Sequence, residues 1–352
     1  MDDRRRVALL TTLVKDQAVA ADSPSPFYAA LIARMIEDVR AGGPTWTLLE
    51  PYATEPPSEW YCFRALSGVH YEALAGERPE LARHWPSVGG DDDADAAWPY
   101  IREAFADRDP AIVADLRHPL QTNETSRCGA LIGGFLAVAR ATGLPLRVLE
   151  LGSSGGLNLH FDRYRYEAGG ATFGPADSAL RFVDYWEGGR PDLDALLEVD
   201  SRRGCDLDPI DPTSDHGRRT LESCLWPDEH IRFANLRAAL DIARAFPVEL
   251  DQESADTWIA RQLAEPVAGV ATVVFHSVFW PYLPDAVQDT IRATIEAAGE
   301  RATADAPLAW LTYEGDDAHP GVVALRLRVW PGGEERLLGT GRHHWHPVHW
   351  LG

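Results

Sequence analysis

The rhythm of hydrophobic and polar positions changes near residue 126. Before it, apolar residues recur at three- to four-residue spacing: Leu9, Leu10, Leu13 and Val14, then Phe27 to Val39, then Trp60 to Ala75. That period predicts amphipathic helices. Ser25-Pro26 reads as a helix start, Pro44 to Pro57 as a proline-rich loop, and Ala97 to Ala106 and Pro110 to Leu116 as two further short helices. After residue 126 an apolar helix, Gly129 to Ala141, leads into a short buried strand, Arg147 to Leu151. Val270 to Trp280 is apolar without alternation, the mark of a strand covered on both faces. Leu196 to Ile210, Pro247 to Leu250 and Pro307 to Glu314 read as further strands. Helices are predicted between them at Leu157 to Tyr164, Arg218 to Cys224, His230 to Ala245, Ala255 to Leu263 and Asp285 to Ala298. At the end Val323, Leu325, Leu327 and Val329 alternate with polar positions. The chain then turns at Pro331-Gly332-Gly333 and returns, which predicts a hairpin.

Strands alternating with helices imply a mostly parallel sheet. The predicted fold class is therefore α/β: a Rossmann-like sheet over residues 126–352 that ends in a C-terminal antiparallel hairpin, preceded by a helical N-terminal or cap domain over residues 1–125. Residues 164–195 interrupt the alternation with Gly169-Gly170, Gly188-Gly189 and the aromatics Tyr164, Tyr166, Phe173, Phe182, Tyr185 and Trp186. This inserted hairpin region is either a lid or substrate wall, or an added sheet with its own small core.

The stretch that organises the second domain is Arg147-Val148-Leu149-Glu150-Leu151-Gly152-Ser153-Ser154-Gly155-Gly156-Leu157-Asn158. A strand, a glycine turn and a helix N-terminus together form a cofactor site at the carboxyl end of a parallel strand. A side chain at Gly152 is expected to occupy space that a ligand needs. The dinucleotide fingerprint G-x-G-x-x-G is broken, because Ser154 stands where the pyrophosphate needs glycine. The pattern Glu-x-Gly-x-x-Gly-Gly instead resembles motif I of the class I S-adenosylmethionine-dependent methyltransferases, with Ser154 replacing one glycine. The resemblance implies that Glu150 lies near the cofactor's amino-acid end, and that Gly152, Ser153, Ser154, Gly155, Gly156 and Asn158 lie under it. It covers residues 126–352. The Q-T-N-E loop, the L-E-L-G-S-S-G-G-L-N turn and the F-H-S-V-F-W-P-Y-L-P strand end also look like those of a bacterial family of unassigned function.

Further candidates follow from position. An acidic residue ending the second strand of a nucleotide fold accepts bonds from ribose hydroxyls. Asp206 is the first choice and Asp208 the second, although the insertion stretches the usual spacing of about 20 residues. Both also fit caps or Asx-turns. Asp251 and Gln252, ending the next strand, are adenine candidates. His276 and Ser277 close the apolar strand where open α/β sheets keep their ligands, and His276 is the expected general base. Tyr282, Glu314 and Asn123 are the side chains expected to orient an acceptor. The Q-T-N-E loop equally fits helix capping, with Thr122 or Asn123 as cap and Glu124 and Ser126 in the first turn, while its place just before the cofactor strand keeps Asn123, Glu124 and Arg127 as ligand candidates.

Charge and composition narrow the partners. A formal charge of −21 argues against nucleic acid and anionic membrane as partners, leaving a small-molecule substrate. Four scattered cysteines without a C-x-x-C pair argue against disulfides and cysteine zinc sites. No apolar leader or membrane-length run is evident, so a cytoplasmic protein is expected. The histidine-dense tail, with His344 and His346 on one strand face, lacks the acids or cysteines that would complete a metal set.

The leading expectation is thus an S-adenosylmethionine-dependent methyltransferase acting on a small molecule. The alternatives are a non-catalytic methyltransferase-like binding module, an NAD(P)-dependent oxidoreductase, and a serine hydrolase whose G-x-S-x-G elbow would centre on Ser154.

Overall fold

The structure is a computed structural model that describes residues 2–22, 25–316, 318–319, 321–342 and 347–352. The chain divides into two compact units. One joins Met1–Thr122 to Ser214–Ala234, and the other joins Asn123–Thr213 to Asn235–Gly352.

The first unit is helical. Asp2–Asp22, Pro26–Ala41, Tyr61–Ala75 and Ala94–Asp107 pack their apolar stripes into one core that includes Leu31, Met35, Leu66, Trp85 and Phe105. Ser25 caps its helix by accepting the Tyr28 N–H, with Pro26 at the first helical position. Asp93 caps Ala94–Asp107 by accepting the Ala96 N–H at 2.9 Å. The loop expected from Pro44 to Pro57 is instead opened by a short helix, Pro44–Leu49. Its start has no cap of its own, and the Asp38 carboxylate supplies one from the preceding helix, accepting the Thr45 N–H at 2.8 Å. The segment Ser214–Ala234, which sequence alone attached to the sheet domain, groups with these helices. Asp228 accepts the Ser25 hydroxyl at 2.5 Å and the Phe27 N–H at 3.0 Å, and Tyr71 meets His216 at 2.8 Å.

The second unit is α/β. In chain order its strands are β1 (Leu146–Leu151), β2 (Arg165–Ala168), β3 (Ala171–Phe173), β4 (Arg181–Val183), β5 (Trp186–Glu187), β6 (Val199–Asp206), β7 (Glu249–Gln252), β8 (Ala271–Ser277), β9 (Leu308–Gly315), β10 (Val323–Trp330), β11 (Glu335–Gly341) and β12 (Val348–Trp350). Nine of them form one sheet in the order β5-β12-β11-β10-β9-β8-β1-β6-β7. The pairs from β7 to β9 are parallel, and β9-β10-β11-β12 are antiparallel. All seven residues of β8 are buried, as its unbroken apolar run predicts. Each large aliphatic or aromatic side chain so covered stabilises the fold by about 1.5–3 kcal/mol.

The insertion resolves in favour of the added sheet. β3-β2-β4 form a three-stranded layer, and Tyr164, Tyr166, Phe182, Tyr185 and Trp186 are buried rather than presented as a lid. Tyr166 stacks on Phe182 at 5.1 Å, and Phe182 meets Tyr185 edge-on at 5.2 Å. β5 leaves this layer and pairs with β12 at the edge of the large sheet.

Among the described residues no helix is long and apolar enough to cross a membrane, and no group of three or more His, Cys, Asp and Glu is placed to hold a metal ion. His344 and His346 lie outside the described residues.

Candidate functional site

From β1 the chain winds outward through β6 to β7, then returns to β8 on the other side of β1 and continues to β9. The strand order therefore reverses between β1 and β8. The crevice outside the carboxyl ends at such a reversal is where open α/β sheets hold ligands. Gly152 follows β1 there, and Val278 follows β8. Three non-glycine residues at this end adopt left-handed backbone: Asn123 (φ 36°), Ser154 (φ 52°) and Val278 (φ 48°). For a β-branched residue such as Val278 this is a genuine outlier, and strain of this kind clusters at functional sites.

The turn after β1 is held from within the protein. The Ser153 N–H donates to the Cys205 carbonyl at 2.9 Å, and the absence of a side chain at Gly204 leaves room for Ser153 beside it. The Ser154 N–H donates to Asp206 Oδ2 at 2.8 Å, and the Leu157 N–H to Asn123 Oδ1 at 3.0 Å. The helix expected from Leu157 to Tyr164 is a 3-10 helix, Leu157–Arg163, so its dipole is short and its first N–H is already capped. The Oδ1 of Asn123, expected to orient an acceptor, is thus spent on the turn. The expectation for Gly152 is corrected as well. A Cβ built there falls 2.1 Å from Phe279 Cδ2, so a protein ring covers the face that was reserved for a ligand.

Beneath the turn the polar groups are not all matched. Glu150 is 2% exposed, and its Oε2 has no hydrogen-bond partner among the described residues. Burial pushes its carboxyl well above the ordinary range, against a hydrogen bond from Asn158 and the charge of Arg127, which act the other way. Asn158 is buried too, and its Oδ1 accepts the Cys128 thiol at 3.1 Å. The buried Ser154 hydroxyl likewise lacks a partner among the described residues. Arg127 spans to β8, donating to the Ser277 carbonyl at 2.8 Å.

At the end of β8, His276 is 1% exposed with both ring nitrogens engaged. The Trp310 indole, which can only donate, reaches Nε2 at 3.2 Å. Nδ1 therefore carries the proton and donates it to Glu314 Oε1 at 2.7 Å. Glu314 also accepts the Phe279 N–H, at 3.0 and 3.2 Å, and Trp280 stacks on the imidazole at 4.9 Å. The expected general base thus has no lone pair free, and Glu314 is a clamp on the loop after β8 rather than an acceptor-orienting group. Tyr282 stands 67% exposed on the 3-10 turn Trp280–Tyr282.

The remaining candidates separate. Asp206 is half-buried; Oδ2 holds the glycine turn and Oδ1 accepts the Asp208 N–H at 3.0 Å in an Asx-turn. Asp208 is exposed. Asp251 is taken up by Arg203, at 2.7 and 2.8 Å, and by the Trp258 indole at 2.6 Å. Its hydrogen bond from Arg203 leads in holding the carboxyl down to about 2. It is a structural ion pair rather than an adenine contact, and Gln252 donates to the Leu207 carbonyl at 3.0 Å. Phe279 and Trp310 carried no predicted role. Only the pairing of β8 with β9, which sets Val274 opposite Trp310, brings that indole to His276.

The fold is that of an α/β protein with a glycine turn at a strand-order reversal. The chain belongs to the uncharacterized family of proteins conserved in bacteria known as DUF2332, whose model matches residues 12–350. No curated protein and no solved structure matches it.

Proposed function

We propose that the chain is an S-adenosylmethionine-dependent methyltransferase acting on a small-molecule acceptor. The observation that carries this reading is the buried, half-partnered carboxylate of Glu150 below the glycine turn, at the reversal between β1 and β8. An unpartnered buried carboxylate oxygen is costly, and an ammonium group is the ligand chemistry that relieves it best. Glu150 and Asn158 fit the amino-acid end of the cofactor. The Ser154 hydroxyl and the spare lone pairs of half-buried Asp206 fit its hydroxyls. When bound, the cofactor supplies a methyl group on an already activated sulfonium.

The chain's own residues then position the partners and exclude water. Because His276 has no free lone pair, the acceptor best matched to this site brings its own nucleophile and needs no base. The hydrolase reading loses support at the same place, since a serine nucleophile needs a base in contact and the Ser154 hydroxyl has none among the described residues.

The test is thermal unfolding with added ligand. S-adenosylhomocysteine at about 100 times its dissociation constant stabilises the native state by about 2.7 kcal/mol. It should raise the melting temperature of the sheet unit by several degrees, whereas NAD⁺ and NADP⁺ should not. A shift with the nicotinamide cofactors alone refutes the proposal. A shift with S-adenosylhomocysteine but no methyl transfer to any of a panel of small acceptors leaves a binding module instead.

A further inference from the structure

The geometry points to a second reactive centre in the helical unit: Ser87 is a nucleophile activated by His70, fit to take a small acyl group from an ester. His70, on helix Tyr61–Ala75, is 0% exposed between the rings of Trp85 and Phe233. Its Nδ1 lies 3.1 Å from the Ser223 carbonyl, and a carbonyl can only accept, so Nδ1 bears the proton. The Nε2 lone pair therefore faces the Ser87 hydroxyl, 2.7 Å away, and takes its hydrogen bond. This is the arrangement nucleophilic catalysis requires: nucleophile on base, and base oriented by a third group.

Ser223 is the last residue of helix Asp215–Ser223, so its carbonyl belongs to the negative end of that helix. That end, with about half a unit of negative charge, favours the charge that forms when His70 takes the serine proton. The nucleophile is also held rigidly. Ser87 is half-buried on the 3-10 turn Pro86–Val88, whose backbone is tied by Val88 N–H to Trp85 carbonyl at 3.2 Å and Gly90 N–H to the same carbonyl at 3.0 Å. Ser87 is only half-buried and Val88 beside it is exposed, so the turn that carries the hydroxyl borders solvent while His70 is buried.

In the reaction, Ser87 Oγ bonds to the acyl carbon while its proton passes to His70 Nε2. The ester C–O bond then breaks, and the leaving alkoxide takes that proton. Water, deprotonated by the same nitrogen, frees the acid and restores the serine.

The full chain is treated with a fluorophosphonate and the adduct is mapped by peptide mass spectrometry. Ser87 should be modified. Ser87→Ala should abolish the adduct. His70→Gln, which keeps a hydrogen-bonding side chain without a base, should slow it on the order of 100-fold or more, with folding checked by circular dichroism. Should the glutamine variant unfold, His70→Asn is measured in its place, and a folded variant labelled at the wild-type rate overturns the assignment. A folded wild-type protein with Ser87 unmodified overturns it too, leaving a hydrogen bond that only ties the turn to the helix. Modification confined to Ser154 overturns it and revives the glycine-turn elbow.

Discussion

Replacing Glu150 with glutamine should strengthen the ligand-free protein and weaken the ligand-bound one. Gln keeps an oxygen for the Asn158 bond and removes the charge, while its amide nitrogen is as unmatched as the Oε2 it replaces, so what it relieves is the burial of the charge. A buried polar group without a partner costs about 1–3 kcal/mol, more when charged. Taking about 2 kcal/mol, and about 2–4 °C per kcal/mol for a unit of this size, the variant should melt roughly 4–8 °C higher at pH 8. The sign of the pH dependence follows from the direction of the shift. Burial raises the folded-state pKa, so the wild-type carboxyl costs nothing below its ordinary value of 4.5 and destabilises as pH rises toward the folded value. The gap between wild type and Glu150→Gln should therefore close near pH 4 and open above it. With S-adenosylhomocysteine present, the wild type should gain its shift and the variant should lose most of it. Scanning calorimetry across pH 4 to 9, with and without ligand, measures both. A variant that melts no higher at pH 8 and keeps the full ligand shift would refute the reasoning, because Glu150 would then be matched within the protein and idle toward the ligand.

Two further outcomes test the packing. Gly152→Ala places a Cβ 2.1 Å from Phe279 Cδ2 on a backbone at φ 66°, and should cost about 2–4 kcal/mol in urea unfolding. The cost should fall to about 1 kcal/mol in a Phe279→Ala background, and strict additivity of the two changes would show that the ring does not cover the glycine. In the helical unit, Asp16 is 1% exposed, its Oδ2 has no partner among the described residues, and burial raises its carboxyl to about 7. Its stability contribution is full below the ordinary 3.8 and lost as pH rises through about 7, so Asp16→Asn should gain on the wild type at pH 8 and match it near pH 4. A difference independent of pH would rule this out.

The parts of this architecture legible in the sequence are those written as local pattern. β8 announces itself because Val270 to Phe275 runs apolar or small without a charge, and the β10–β11 hairpin because alternation is broken by Pro331-Gly332-Gly333. The glycine turn is legible for a related reason, since glycines follow directly on an apolar strand. What could not be read was pairing at long range. Nothing near His276 reveals that Trp310 and Glu314, one strand away, would engage both its nitrogens. Nothing near Asp251 reveals Arg203. Pro44 looked like a loop because its cap, Asp38, comes from the helix before it. Acids and histidines at strand ends read alike whether they serve a ligand or a neighbouring strand, and only the register decides which.

The helical unit is sewn from two pieces, with Thr122 and Ser214 separated by an entire stretch of the sheet unit. Translation adds about 5–20 residues per second, so the intervening 91 residues (Asn123–Thr213) hold the first piece waiting for roughly 5–18 s. During that interval the acceptor for the Ser25 hydroxyl, Asp228, and the carbonyl that orients His70, from Ser223, do not yet exist outside the ribosome. Folding of the N-terminal helices is thus completed late, after β1, the glycine turn and β6 have emerged. A gene fragment ending at residue 122 should yield a chain missing its last helix, and a fragment beginning at residue 123 one carrying that helix without its partners. Neither unit can therefore be cut out as one uninterrupted stretch of the gene.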